Sequence, residues 1–214
     1  MKYDIKVNKL KNDEWSTKAF VSIIINDCFK VNGISIRETK EGKLFVAMPG
    51  YKTNQKDENG YTVYKNYCYP TTAEFRKELF DNIMKAYDGN GEFTANSKDT
   101  KLNYGIKLFE CNNNSKIESI GRIKFDECFV IDCVKVIDSN NGVFVSMPSK
   151  TSTGADGKNE YTEICYPVTK EFREQLYTSI IKSNSDLKNK NIKEFEKVAH
   201  EVDEMSKDEC LPFR

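Results

Sequence analysis

Histidine is almost absent from this chain of 214 residues, in which His200 is the single example. A Ser/His/Asp or Cys/His site needs a histidine as its base, so nucleophilic catalysis of either kind is not expected. The sequence also lacks a glycine-rich phosphate loop with Walker or dinucleotide spacing, and its carboxylates form no repeated pair suited to acid/base catalysis. These absences predict a protein that is not an enzyme, and His200 is expected on a solvated helix face.

The seven cysteines lack the C-x-x-C spacing that is typical of structural zinc sites. Their number is odd and no apolar segment of signal-peptide length begins the chain, so a secreted disulfide scaffold is not favoured. No later run reaches the length of a membrane-spanning helix. We therefore expect reduced, buried thiols in a cytoplasmic protein with no metal site, no cofactor and no membrane contact.

Net charge is absent as well, since 33 Lys and Arg residues balance 33 Asp and Glu residues. The whole chain thus lacks the basic excess that by itself indicates a nucleic-acid-binding protein. The charges are unevenly distributed, with 15 basic against 11 acidic residues in 1–87 and 12 against 12 in 98–185. Any attraction for phosphate is therefore expected mainly in the first part of the chain.

The chain does contain an internal repeat. The segment CYPTTAEFRKELFDNIMK from Cys68 recurs as CYPVTKEFREQLYTSIIK from Cys165, with ten identities in eighteen positions. Upstream, GKLFVAMP from Gly42 corresponds to GVFVSMP from Gly142. Self-similarity of this kind indicates a duplicated domain. We place the first copy at 1–87, a linker at 88–97, the second copy at 98–185 and a unique C-terminal segment at 186–214.

Each copy begins with residues that alternate between apolar and polar, which is the pattern of half-buried antiparallel strands. Asn32-Gly33, Glu41-Gly42 and Asn141-Gly142 are expected at the turns of a meander, because these residues tolerate positive φ.

Each copy ends with the pattern of a helix. Thr72 and Thr169 can cap these helices, and apolar residues recur four apart from Phe75 and Phe172 onward. The predicted fold class is α+β, with two tandem copies of a small antiparallel sheet and a C-terminal helix in a pseudo-two-fold pair. Because each copy is short and has an open edge, we expect the two copies to pair through strand edges into one continuous sheet. A further amphipathic helix is predicted within 186–214.

The segment NNGVFVSMPSK, from Asn140 to Lys150, resembles the hallmark segment of the SpoVG (stage V sporulation protein G, or septation protein) family of bacterial regulators. A glycine turn leads into an apolar strand, then into Met-Pro-Ser and a basic residue. The first copy departs from this pattern at Gly50, which replaces the serine. Both copies carry a tyrosine, Tyr69 or Tyr166, where a histidine is common in the family.

The resemblance to SpoVG proteins implies a small cytoplasmic regulator that dimerises by strand pairing and binds DNA or RNA without enzymatic activity. Nucleic-acid contacts in that family are associated with basic positions in and around the C-terminal helix, and the resemblance carries over Arg76, Lys77 and Arg173. Basic residues elsewhere on these helices or after Met-Pro complete the candidate set: Lys85, Lys182, Lys52 and Lys150. The alternative is that all of these residues lie on ordinary solvated surfaces.

Two functions remain open from the sequence. Tyrosines interleaved with lysines between Tyr51 and Tyr69 could stack bases and bind phosphate, although such residues are also ordinary at strand ends. The alternative function is a protein-interaction module that docks a partner or a second copy of the chain through its sheet edge and C-terminal helix, with Phe195 and Val202 as docking residues. Salt distinguishes the two, because only phosphate binding weakens steeply as salt rises.

Overall fold

A computed structural model describes residues 1–208 except for 12–14, 98–100, 112–115 and 154–156, and except for the side chains of 192 and 194–208. The first copy contains β1 (Tyr3–Lys9), β2 (Thr17–Ile25), β3 (Phe29–Glu38), β4 (Leu44–Ala47), β5 (Gly50–Lys56), β6 (Thr62–Asn66), β7 (Cys68–Pro70) and α1 (Ala73–Asp88). Strand β8 (Glu92–Ala95) follows. The second copy contains β9 (Tyr104–Glu110), β10 (Ile117–Phe125), β11 (Phe129–Ser139), β12 (Gly142–Ser146), β13 (Ser149–Thr153), β14 (Asn159–Glu163), β15 (Cys165–Pro167) and α2 (Lys170–Asp208).

The strands of the described residues form two larger antiparallel sheets and two separate hairpins. The first sheet has the order β8-β1-β2-β3 with β4 on the outer edge of β3, and the second has the order β9-β10-β11-β12. The hairpins β5-β6 and β13-β14 pair only within themselves. This arrangement confirms the predicted α+β class and the duplication.

Each sheet receives one strand from the other copy. Strand β15 pairs with Phe29–Val31 of β3, and β7 pairs with Phe129–Ile131 of β11. These places are open because β4 covers only Ser35–Glu38 of β3, and β12 covers only Lys135–Ser139 of β11. An uncovered strand edge presents unpaired N–H and C=O groups, and the exchanged strands satisfy them.

The expectation of one continuous sheet is therefore wrong, although the copies do pair through strand edges. The pairing is reciprocal and leaves two sheets. The strand that crosses is only three residues long and ends in Pro70 or Pro167, which have no N–H to continue a ladder. Such a strand can fill half of an edge but cannot join two full edges.

The two copies share one hydrophobic core. The Phe29 and Phe125 rings meet at an angle of 66° with their centroids 4.8 Å apart. Phe75 of α1 packs edge-on against Phe129 at 6.4 Å, and Phe172 of α2 packs against Phe29 at 6.5 Å. Each helix thus contacts a central strand of the other copy, so each half of the core is completed by the other half.

Both predicted helix caps are confirmed. The Thr72 hydroxyl accepts a hydrogen bond from the Phe75 backbone N–H at 3.2 Å, and the Thr169 hydroxyl accepts one from that of Phe172 at 3.3 Å. Helix α2 then continues without a break to Asp208. The helix predicted within 186–214 is therefore an extension of the repeat helix.

One predicted turn is wrong. Gly33, with φ +77°, lies inside β3 at a β-bulge, and the β2-β3 turn is formed by Asn26-Asp27, where φ is 44° and 59°. In the second copy Cys133 takes the place of Gly33 with φ +61°. The turns at Glu41-Gly42 and Asn141-Gly142 are confirmed, with glycine φ values of +80° and +104°.

The segment 88–97, expected to be a linker, contributes β8 to the first sheet. Ile5 of β1 faces Phe93 of β8 across the ladder, and the Val7 N–H donates to the Gly91 carbonyl at 2.7 Å. Strand β8 covers the outer edge of β1. In the described residues the equivalent edge of β9 has no such cover.

Candidate nucleic-acid interface

The two hairpins β5-β6 and β13-β14 directly follow the Met-Pro segments. Pro148 is buried, whereas Lys150 two residues later is exposed. In the first hairpin Lys52 pairs across the ladder with Tyr64, which is 69% exposed. The hairpins therefore present lysine and tyrosine side chains to solvent beside the sheets.

Arg76 and Arg173 hold equivalent positions in the first turns of α1 and α2. The Arg76 guanidinium donates to the Pro70 carbonyl at 3.4 Å, and the Arg173 guanidinium donates to the Pro167 carbonyl at 3.1 Å. Each arginine is thereby held at the end of an exchanged strand. Since that strand lies in the sheet of the other copy, each arginine lies beside residues of the other copy.

Arg76 lines a groove of about 370 Å³ together with Lys65 and Tyr69 of its own copy and Arg122 of the second copy. Tyr69 and Arg122 also line an adjoining groove of about 430 Å³, where Lys107 and Lys124 are added. We call the combined surface the Arg76 groove. Its defining residues are Lys65, Tyr69, Arg76, Lys107, Arg122 and Lys124.

Acidic neighbours neutralise only part of the Arg76 groove. Arg122 lies 3.5 Å from a carboxylate oxygen of Asp132, and Lys124 lies 2.5 Å from one of Glu127. Neither Lys65 nor Arg76 has an ion pair among the described residues, and the Lys107 ammonium lies 5.3 Å from the centre of the Phe109 ring. The groove therefore keeps cationic groups that are available to an anion.

The other candidate residues lie outside this groove. Lys77 is exposed and forms an ion pair with Asp81 at 2.7 Å. Lys85, nine residues beyond Arg76, donates to Asn82 at 3.3 Å and lies 6.0 Å from the centre of the Phe93 ring. Nine residues correspond to about 13.5 Å along a helix, so Lys85 is too far along α1 to line the groove. Lys182 is exposed on α2.

Both copies match the same known protein family. The SpoVG family model matches residues 1–89 and 103–186. The chain belongs to the SpoVG family. Because the two matched regions are the two strand-exchanged copies, a single chain contains a pair of SpoVG domains.

SpoVG relatives match about one copy of this chain. A septation protein SpoVG of Phytoplasma australiense is 29% identical over 89 residues, which are 42% of this chain and 88% of the relative. One of Clostridium perfringens is 30% identical over 89 residues, or 42% of this chain and 94% of the relative. One of Macrococcus caseolyticus is 35% identical over 77 residues, or 36% and 64%. These names describe septation proteins and not enzymes.

Sequence reasoning missed three of the groove's cationic residues. Lys107, Arg122 and Lys124 of the second SpoVG copy were not among the candidates, whereas Lys65 lies in the segment of tyrosines and lysines that the sequence offered for base stacking and phosphate binding. The alternation of Arg122 and Lys124 with apolar neighbours does indicate that both face outward from β10. Their proximity to Arg76 depends on the strand exchange, for which the sequence carries no local signal.

The docking candidates Phe195 and Val202 lie on α2 beyond the second SpoVG match, and their side chains fall outside the described residues. The same holds for His200. No helix among the described residues is both long and apolar enough to cross a membrane.

Burial disfavours cysteine chemistry at four of the described thiols. Burial raises the pKa of Cys28 to about 11, and burial also raises the pKa of Cys128, Cys133 and Cys165. A thiol with a raised pKa stays protonated at neutral pH and is a poor nucleophile and metal ligand. Within the described residues no group of three or more His, Cys, Asp and Glu side chains is placed to hold a metal ion.

Proposed function

We propose that the protein is a non-enzymatic regulator of the SpoVG type that binds DNA or RNA through the Arg76 groove. The observation that carries this proposal is the placement of Arg76 and Arg122, from different copies, in one groove with Tyr69. Guanidinium groups bind phosphate oxygens in bidentate fashion, and a tyrosine ring offers a face for stacking. Both groups are thus within one surface that a nucleotide can contact.

The register of the second sheet supports an anionic ligand. Arg122 lies directly opposite Lys107 on the outer face of the β9-β10 pair. Like charges directly opposite each other in a sheet are destabilising. A bound phosphate would relieve this repulsion, so the sheet has a physical reason to attract one.

The hairpin beside the groove supports a nucleic acid in preference to a small anion. Lys65 of β6 lines the groove, and on the other face of the same hairpin Tyr64 lies across the ladder from Lys52 and is 69% exposed. Tyr61, immediately before the same strand, is 72% exposed. Exposed aromatic rings next to lysines can stack bases while the lysines contact phosphates.

The decisive experiment is a salt titration of binding by fluorescence anisotropy, with single-stranded DNA, double-stranded DNA and RNA as separate probes. We expect at least one probe to bind with an affinity that falls steeply with salt. Arg76→Ala and Arg122→Ala should each lower the slope of log affinity against log salt by roughly 0.7–0.9, the value for one phosphate contact. The two variants test one residue from each copy.

Lys77→Ala is the matched control, because Lys77 neighbours Arg76 but forms an ion pair with Asp81 outside the groove. This variant should keep the slope of the unsubstituted protein. Absence of binding to all three probes at low salt would contradict the proposal. An equal loss in all three variants would contradict the assignment to the groove.

The alternative proposal is a protein-interaction module that docks a partner or a second copy of the chain. The observation that favours it is the edge of β9, which no other described strand covers and where Phe109 is 50% exposed. Association through such an edge uses backbone hydrogen bonds and apolar contact. It would therefore persist at high salt, where nucleic-acid binding is lost.

A further inference from the structure

The two sheets have matching register, so each position of the Arg76 groove has an equivalent in the other half. The pair Lys107 and Arg122 on β9-β10 corresponds to Lys6 and Ser22 on β1-β2. The neighbouring pair Gly105 and Lys124 corresponds to Asp4 and Ile24. In the first sheet the neutral residues Ser22 and Ile24 therefore stand where the second sheet has Arg122 and Lys124, and Asp4 stands where it has Gly105.

The hairpin contributes a second difference. Lys65 and Asn66, which line the Arg76 groove, correspond to Thr162 and Glu163 at the same places before the exchanged strand. Tyr166 keeps the position of Tyr69, and it pairs with Lys30 where Tyr69 pairs with Val130. Lys30 restores one positive charge, but Glu163 offsets it.

Strand β8 contributes a third difference. It places Glu92 directly opposite Lys6, and the Thr94 hydroxyl donates to the Asp4 carboxylate at 2.6 Å. In the second sheet, β9 has no covering strand among the described residues. The lysine equivalent to Lys107 thus has a glutamate directly opposite it on the neighbouring strand.

The charges on the two surfaces are consequently different. Around the Arg76 groove the described cations are Lys65, Arg76, Lys107, Arg122 and Lys124, and the anions are Glu127 and Asp132. The equivalent surface, which we call the Arg173 groove, joins the cleft lined by Asp4, Lys6, Lys30 and Glu92 to Arg173 and Glu163, the equivalents of Arg76 and Asn66. Asp27, the equivalent of Glu127, lies 2.7 Å from the Lys2 ammonium, so cations and anions balance around this surface. Only the first surface has an excess of positive charge.

We propose that the duplicated chain has a single nucleic-acid site, in which the Arg76 groove binds the phosphate backbone and the Arg173 groove does not. The inference rests on the proposed function and specifies its stoichiometry as one nucleic-acid segment per chain. A phosphate approaching Arg173 meets nearby carboxylates, which cancel the attraction at close range. The pair of domains is therefore symmetric in backbone and asymmetric in binding.

The structure offers a matched pair of variants for the test. Arg76 and Arg173 make the same hydrogen bond to a proline carbonyl at the same place in their helices, so Arg76→Ala and Arg173→Ala remove the same intramolecular contact. We expect Arg76→Ala to lower the salt slope by roughly 0.7–0.9, and Arg173→Ala to leave it unchanged within error. Titration at a protein concentration far above the dissociation constant, with an oligonucleotide about ten residues long, should saturate at one oligonucleotide per chain.

A gain of binding provides the converse measurement. The combined substitutions Ser22→Arg, Ile24→Lys and Glu163→Asn introduce three residues of the Arg76 groove into the Arg173 groove, and they should raise the saturation ratio from one towards two. Equal slopes for the two alanine variants, or a ratio of two in the unsubstituted protein, would overturn the single-site inference while leaving the proposed function intact. Failure of every probe to bind would instead overturn the proposed function.

Discussion

At the scale of single residues, the aromatic side chains of the helices connect the two copies. Phe75 meets Tyr3 of its own copy at 5.9 Å and Phe129 of the other copy at 6.4 Å. Edge-on aromatic pairs contribute about 0.5–1.5 kcal/mol beyond the area they bury. Substitution at this position therefore affects both sheets.

We expect Phe75→Ala to lower the free energy of unfolding by about 3 kcal/mol, at the low end of the range for such substitutions because the ring is only partly buried. Phe172→Ala should have a similar effect because of its equivalent contacts. Urea unfolding measures both. Phe20→Ala is the control, since Phe20 is 50% exposed and should matter little. If Phe75→Ala costs no more than Phe20→Ala, the proposed packing of α1 is incorrect.

Some of these residue-level features follow from the sequence and others do not. Caps at Thr72 and Thr169 were predictable because capping is a local interaction between residues three apart. The bulge at Gly33 was mistaken for a turn, because Asn-Gly is compatible with positive φ in either setting. The positive φ of the equivalent residue Cys133 could not be predicted from the sequence, because the surrounding sheet imposes that conformation on a residue type that rarely adopts it.

At the scale of elements, the second sheet differs from the first in how closely its strands approach. A Cβ placed on Gly121 of β10 would lie 2.1 Å from the Lys107 carbonyl oxygen and 2.8 Å from the Leu108 Cα. Both atoms belong to the backbone of β9, which cannot move without breaking the ladder. The equivalent position in the first sheet holds Val21, so this close approach is specific to the second copy.

We expect Gly121→Ala to destabilise the protein by about 3 kcal/mol, in the upper part of the range for overpacking a well-packed site. Gly105→Ala is the matched control on the neighbouring strand, because a Cβ there meets no atom within 4 Å. Thermal unfolding of the two variants decides the question. Equal midpoints would show that β9 and β10 are less closely packed than described.

Strand and helix patterns within each copy were readable from the sequence, because they depend on periodicity over short distances. The candidate groove was only partly readable. Arg76 was identified through the family resemblance, but Arg122 and Lys107 reach the same groove through pairing of β7 with β11, which are separated by some sixty residues. Which edge a three-residue strand joins is decided by what the rest of the sheet leaves open.

At the scale of the whole molecule, the chain is a covalently linked pair of SpoVG domains whose parts are interdependent. Each sheet lacks a strand without the other copy, and the core runs through both copies without interruption. The two copies should therefore unfold together, as one cooperative unit. The two linked halves differ in the charges that they carry on equivalent surfaces.

The central claim, that the two copies form a single folding unit, is tested most directly by the fluorescence of Trp15 during urea unfolding of Leu176→Ala. Trp15 is the only tryptophan and lies in the first copy, whereas Leu176 is fully buried on α2 of the second. Emptying such a site costs about 2–5 kcal/mol. We predict that in Leu176→Ala the midpoint of the Trp15 fluorescence transition moves to lower urea than in the unsubstituted protein. The midpoint followed by circular dichroism should move by the same amount. A Trp15 transition that stays where it is in the unsubstituted protein would contradict the claim.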